Sequence, residues 1–124
     1  MDKAAQAVSL VRAQRSGLWH RHVDGSERER SGAPVTPVFD HDRLARVRDH
    51  LRAQDAAWAA FFDQRAILPL RLTYEALAAD SRSVLAEILT ALGRDPMAAL
   101  LAKPRTARIA DATNEDWMRR LARE

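Results

Sequence analysis

Ile67-Leu68-Pro69-Leu70-Arg71-Leu72-Thr73-Tyr74 is the stretch on which the fold turns. Leu68, Leu70 and Leu72 alternate with Pro69, Arg71 and Thr73, so an extended backbone would carry the leucines on one face and the rest on the other. That period predicts a β-strand over about 67–73, the one clear strand in the chain. A strand needs neighbours for its backbone N–H and C=O groups. The sequence offers no second convincing strand, so the sheet partners are expected in another copy of the chain or in residues outside these 124. The expectation from the residues alone is a piece of a domain, mainly helical, with one strand that lacks its sheet partners.

Working outward, helices dominate. Upstream, Leu44, Val47, Leu51, Trp58, Phe61 and Phe62 recur at three- and four-residue steps, which predicts a long helix over about 40–65 with Asp40 as its N-cap and Trp58 in the core. Ala4, Ala7, Val8, Leu10 and Val11 give an apolar face to a helix over 2–15 that Gly17 ends. Between these helices, Gly, Ser, Glu, Arg and Pro crowd residues 24–37, the composition of an exposed, mobile loop. Downstream, Val84, Leu85, Ile88, Leu89 and Leu92 predict a helix over about 83–92 stopped by Gly93. A short helix is expected near 96–102, and a last one after Thr113-Asn114, with Trp117 packing it down.

Charge selects no partner by itself. The pI is about 10.1, yet the 20 Lys and Arg stand against 17 Asp and Glu, for a net charge of +3. The signs are interleaved and no groove-reading motif appears, which disfavours nucleic acid. Eighteen of the cations are Arg, the residue suited to forked contacts with phosphate or carboxylate. Cysteine is absent, which removes disulfides and thiolate metal sites. No apolar run reaches membrane-spanning length and the N-terminus lacks a signal-peptide core, so a cytoplasmic protein is expected.

Several residues invite chemistry. His20 and His22 form a His-x-His pair without the further ligands that a metal site requires. The four glycines are scattered singly at 17, 25, 32 and 93, so no phosphate-cradling glycine loop is present. Ser9 lies on an apolar helix with Arg12 three residues on; it is either a serine bonded back to its own helix or a binding hydroxyl. Tyr74 follows the predicted strand at its carboxyl end, where open α/β sheets hold ligands, and could equally cover the core. Lys103, Arg105 and Arg108 make a basic stretch that is either solvated surface or an anion contact. Trp19, beside the predicted loop, could stack on a sugar or plug the surface.

The order of motifs resembles the bacterial trehalose-sulfotransferase-type family. Asp2-Lys3-Ala4-Ala5-Gln6-Ala7-Val8-Ser9-Leu10 is similar to its donor-phosphate helix, and Ala13-Gln14-Arg15-Ser16-Gly17-Leu18-Trp19-His20 to the Gln-Thr-Gly-x-Trp stretch that follows. Pro37-Val38-Phe39-Asp40 opens the long helix as in the family. Pro69-Leu70-Arg71-Leu72-Thr73-Tyr74-Glu75-Ala76-Leu77 resembles the strand and Tyr-Glu-x-Leu turn of many sulfotransferases. Arg108-Ile109-Ala110-Asp111 and Asn114-Glu115-Asp116-Trp117 resemble the C-terminal signature. Arg15-Ser16 and Thr106-Ala107 depart from the pattern.

The resemblance implies the C-terminal portion of a nucleotide-kinase-like (P-loop-like) sulfotransferase domain over residues 1–124, an incomplete α/β fold in which 67–73 is one strand of a parallel sheet. It implies phosphoadenosine phosphosulfate (PAPS) as co-substrate, a trehalose-like sugar hydroxyl as acceptor, and no metal. Carried over by position, Ser9 and Arg108 would hold the ribose phosphate of PAPS, and Tyr74 would lie against the adenine. The family's phosphosulfate loop, catalytic carboxylate and phosphate-clamping Arg lie upstream of every motif matched here. No catalytic residue is therefore expected in this chain, and alone it is expected to be inactive and to bind PAPS weakly or not at all. Association of copies through the unpaired strand is a further expectation. The alternative from another class is a non-catalytic helical binding or adaptor protein derived from the same scaffold.

Overall fold

The computed structural model describes residues 2–103, 105–107 and 111–123. Helix α1, Lys3–Ser16, starts where the Asp2 carboxylate accepts the Ala4 N–H at 2.9 Å. It ends at Gly17, whose φ of 71° is left-handed and whose N–H donates to the Ala13 carbonyl at 2.9 Å. A Cβ at residue 17 would lie 2.0 Å from the Ser31 carbonyl oxygen, so this tight exit requires glycine twice over.

The chain then turns into a hairpin, strand β1 at Leu18–His22 against antiparallel strand β2 at Glu27–Arg30. Asp24 makes the reversal. Its carboxylate accepts the Ser26 N–H at 2.9 Å and the Ser26 hydroxyl at 2.6 Å, while Gly25 takes a φ of 86°. β2 therefore lies inside the stretch 24–37 that composition reads as loop. The reason is that Glu27-Arg28-Glu29-Arg30 carries no apolar alternation: it pairs by backbone and presents charge to water. Strand β3, Thr106–Ala107, adds antiparallel to the other edge of β1, giving the order β2-β1-β3.

Helix α2, His41–Gln64, opens as expected on Asp40, which accepts the Arg43 N–H at 3.0 Å. Asp40 also accepts from Arg15 Nη2 at 2.8 Å and so ties the ends of α1 and α2 together. Helix α5, Ala112–Leu121, closes this body. Val8, Val11, Leu44, Trp117 and Leu121 form the core, with Ala4, Phe39, Val47 and Met118 packed around it. Phe39 meets Trp117 edge-on at 5.7 Å, and the Arg120 guanidinium covers the Phe39 ring at 3.7 Å.

Two expectations fail in the middle of the chain. Residues 67–73 form no helix or strand, and the sheet that does form is the antiparallel β2-β1-β3. Alternation fixes which way side chains point; it cannot supply a neighbouring backbone, and both edges of β1 are already taken. Leu68 is accordingly 98% exposed. Trp58 is the second correction. It belongs to the helical stripe yet is 60% exposed: the buried residues of α2 are Leu44 and Leu51 in its N-terminal half, and farther along α1 meets it through the Lys3–Asp55 ion pair at 2.6 Å. Trp58 instead stacks on Phe62 and meets Phe61 edge-on, both at 5.7 Å.

Beyond 73 the chain forms α3 (Tyr74–Ala79), α4 (Ser81–Ala91) and a 3-10 turn at Pro96–Leu101. Thr73 caps α3 by accepting the Ala76 N–H at 3.1 Å. Asp80 caps α4 through Arg82 N and Ser83 N, each at 3.1 Å. These three elements pack on one another and, among the described residues, on none of α1, α2, α5 or the sheet.

Candidate functional site

Polar side chains from distant parts of the chain meet in a cleft of about 420 Å³ between α1, β1 and the start of α5. Ser9 and Arg12, three residues apart on α1, share a helical face. Trp19 and Arg21, two apart on β1, share a strand face. The first turn of α5 contributes Asp111 and Asn114.

Arg12 joins these elements. Its Nη1 and Nη2 form a forked pair with the two Asp111 carboxylate oxygens, at 2.6 and 3.1 Å, and Nη1 also donates to Asn114 Oδ1. Asn114 Nδ2 in turn donates to Ser9 Oγ at 3.3 Å. The Arg12 contact, followed by the backbone bonds at the helix start, holds the Asp111 carboxyl below its ordinary range. Asp111 is also the N-cap of α5, accepting the N–H groups of Thr113 and Asn114 at 2.9 and 3.2 Å.

The buried Nε atoms of Arg12 and Arg21 have no hydrogen-bond partner among the described residues. With two guanidinium groups against one carboxylate, the cleft carries a positive excess. Trp19 adds an apolar wall. The arrangement can receive an anion of phosphate size beside an exposed hydroxyl.

Of the residues singled out from sequence, Ser9 and Trp19 lie in this cleft. Tyr74 does not: it opens α3, is half-exposed, and sits in the group of elements that packs apart from α1. Arg108 lies outside the described residues, as do Ile109 and Ala110 of the C-terminal signature. Arg105 is exposed beside a second hollow, with His22 and Arg28. His20 pairs its Nδ1 with Glu29 Oε2 at 2.7 Å across the hairpin. No group of three His, Cys, Asp or Glu gathers among the described residues.

The contact of Arg12 with Asp111 and Asn114 escapes sequence reading because 99 and 102 residues separate the partners. The available signal was the matching i, i+3 spacing of Ser9 with Arg12 and of Asp111 with Asn114. Arg21 gave none.

The sequence model of the family described as Stf0 sulphotransferase matches residues 1–124. The trehalose 2-sulfotransferase of Mycolicibacterium smegmatis is 31% identical over 123 residues, and that of Mycobacterium tuberculosis strain Erdman 28% over the same length. The matched part is 99% of this chain and 43% of each relative, so the chain spans less than half the length of these enzymes. The family model covers the chain from residue 1 to residue 124: the chain belongs to the Stf0 sulphotransferase family.

Proposed function

We propose that this chain is the donor-holding C-terminal portion of a sulfotransferase that moves a sulfuryl group from PAPS to a hydroxyl of a trehalose-like sugar. The observation that carries the reading is the cleft: an exposed Ser9 hydroxyl beside two arginines whose buried Nε atoms have no partner among the described residues. Its chemistry suits the ribose phosphate of PAPS. Arg108 is a second contact for that phosphate, and Tyr74 the cover for the adenine once α3 is brought against α1 in the nucleotide-kinase-like fold.

In the transfer, the bond between sulfur and the donor's bridging oxygen breaks as the sugar oxygen bonds to sulfur. A base takes the hydroxyl proton, and the bridging and peripheral oxygens gather charge that the protein must stabilise. None of the cleft residues reaches that end of the donor in this reading. They bind and orient; the phosphosulfate loop and the base belong to the rest of the domain.

The surface supports the same division. Leu68, Leu70, Leu72, Leu77 and Leu101 are exposed around the segment 67–73 and the α3–α4 group, and exposed apolar side chains gathered in this way mark a surface that a partner covers. In this reading the remaining sheet covers them and supplies neighbours to 67–73.

The test is sulfate transfer to trehalose. The chain alone should give none. A fusion to the part of the Mycolicibacterium smegmatis enzyme that this chain does not match should restore it. Turnover by the purified chain alone, proportional to its concentration, would overturn the division. A folded but inactive fusion would favour the non-catalytic adaptor.

A further inference from the structure

Ser9 is exposed, and its hydrogen bond among the described residues is the one it accepts from Asn114 Nδ2 at 3.3 Å. Hydroxyls on helices often return their proton to a carbonyl one turn back, as Thr90 does to Ala86 at 2.9 Å. Ser9 makes no such bond among the described residues, so the serine bonded to its own helix is not what the fold contains.

Chemistry fixes the sense of the Asn114 contact. A guanidinium only donates, so Asn114 must turn its Oδ1 to Arg12 Nη1, which leaves its NH2 facing Ser9. Asn114 is only 7% exposed, so bulk water does not compete freely for either end of the amide. Arg12 cannot swing aside without losing its forked pair with Asp111.

We propose that Arg12 and Asn114 are positioning residues that make Ser9 a hydrogen-bond donor toward phosphate. Asp111 anchors Arg12, Arg12 orients the Asn114 amide, and the amide occupies the acceptor side of Ser9 Oγ. The hydroxyl proton then points at whatever enters the cleft. A phosphate, which at neutral pH mainly accepts, is favoured; a ribose hydroxyl gains less, because it can serve either way. This inference rests on the donor-site reading above, and it adds the residues that give that site its preference.

The test uses the 124-residue chain and two probes, adenosine 3′,5′-bisphosphate and adenosine 5′-monophosphate, titrated by NMR at millimolar concentration. Their affinity ratio isolates the 3′-phosphate, whereas general loss of structure would weaken both alike. Wild type should prefer the bisphosphate by roughly tenfold, the scale of one charge-assisted hydrogen bond. Ser9→Ala should remove most of that preference. Asn114→Leu, uncharged and of similar volume, should reduce it, and the double variant should lose no more than Ser9→Ala alone.

If Asn114→Leu keeps the full preference, or its effect adds to that of Ser9→Ala, the positioning role is overturned and the donor site survives. If wild type shows no preference, or Ser9→Ala keeps it, the donor-site reading itself fails and the positioning role with it. A ligand-free measurement stands in should Asn114→Leu unfold. Ser9→Ala should shift the side-chain amide resonances of Asn114, and unmoved resonances overturn the proposal.

Discussion

Replacing Arg12 with Met keeps an unbranched apolar stem and removes the guanidinium that joins α1 to α5. The loss can be worked from its partners. Asp111 is 51% exposed, so its forked pair counts as a surface ion pair of about 0–1 kcal/mol. Asn114 is nearly buried, and leaving its Oδ1 without a donor costs about 1–3 kcal/mol. The sum is about 1–4 kcal/mol. For a chain of this size that lowers Tm by roughly 4 °C for each kcal/mol. Thermal melts followed by circular dichroism read it directly. The pH dependence gives a second reading. The folded Asp111 carboxyl titrates below its ordinary value of 3.8, mainly through Arg12. Its contribution is therefore complete above the unfolded value and is lost as pH falls through the lower folded one. The gap between wild type and Arg12→Met should be full at pH 6 and should narrow below about pH 4, keeping the Asn114 part. A variant that melts within 1 °C of wild type at pH 6 (on the order of 0.25 kcal/mol) would refute the reasoning.

Leu44→Ala should cost about 2–5 kcal/mol, since Leu44 is fully buried between α1 and α5, whereas Trp58→Ala on the exposed half of α2 should cost under about 1 kcal/mol; comparable losses in urea melts would contradict the position of the core. Gly17→Ala should destabilise by at least about 1 kcal/mol and disturb the hairpin, because its Cβ would meet the Ser31 carbonyl at 2.0 Å; an unchanged NMR pattern for β1 and β2 would count against the tight exit. The exposed leucines over 67–101 should make the isolated chain associate, which size-exclusion chromatography through a dilution series would detect; a dilution-stable monomer would argue that this surface needs no cover.

Much of the fold was legible because its signals are local. Asp40 announced α2, and Gly17 announced the end of α1. Trp117 and the apolar face of the first helix announced the core. The failures share one cause, that a partner cannot be read from a period. Leu68, Leu70 and Leu72 alternate as a strand would, but among the described residues no strand pairs with them. Trp58 sits in register with Leu44 and Leu51, but it is 60% exposed and its ring contacts are with Phe61 and Phe62 of the same helix. Glu27–Arg30 is the converse, a strand without apolar alternation, formed because the Asp24-Gly25 turn brings its backbone beside β1. At the site, Ser9 and Trp19 were found through motifs lying close together in sequence. Arg12, Asp111 and Asn114 meet only in three dimensions, and Tyr74 is not brought to them by the described residues.

The central claim is that the cleft between α1, β1 and α5 holds the phosphate end of the sulfuryl donor. An NMR titration of the 15N-labelled chain with adenosine 3′,5′-bisphosphate tests it most directly. The predicted result is a saturable shift, with a Kd in the millimolar range, of the Ser9 amide, the Arg12 and Arg21 guanidinium Nε resonances and the Trp19 indole. Resonances of these four residues that stay still at saturating nucleotide, or shifts confined to the α3–α4 group, would contradict it.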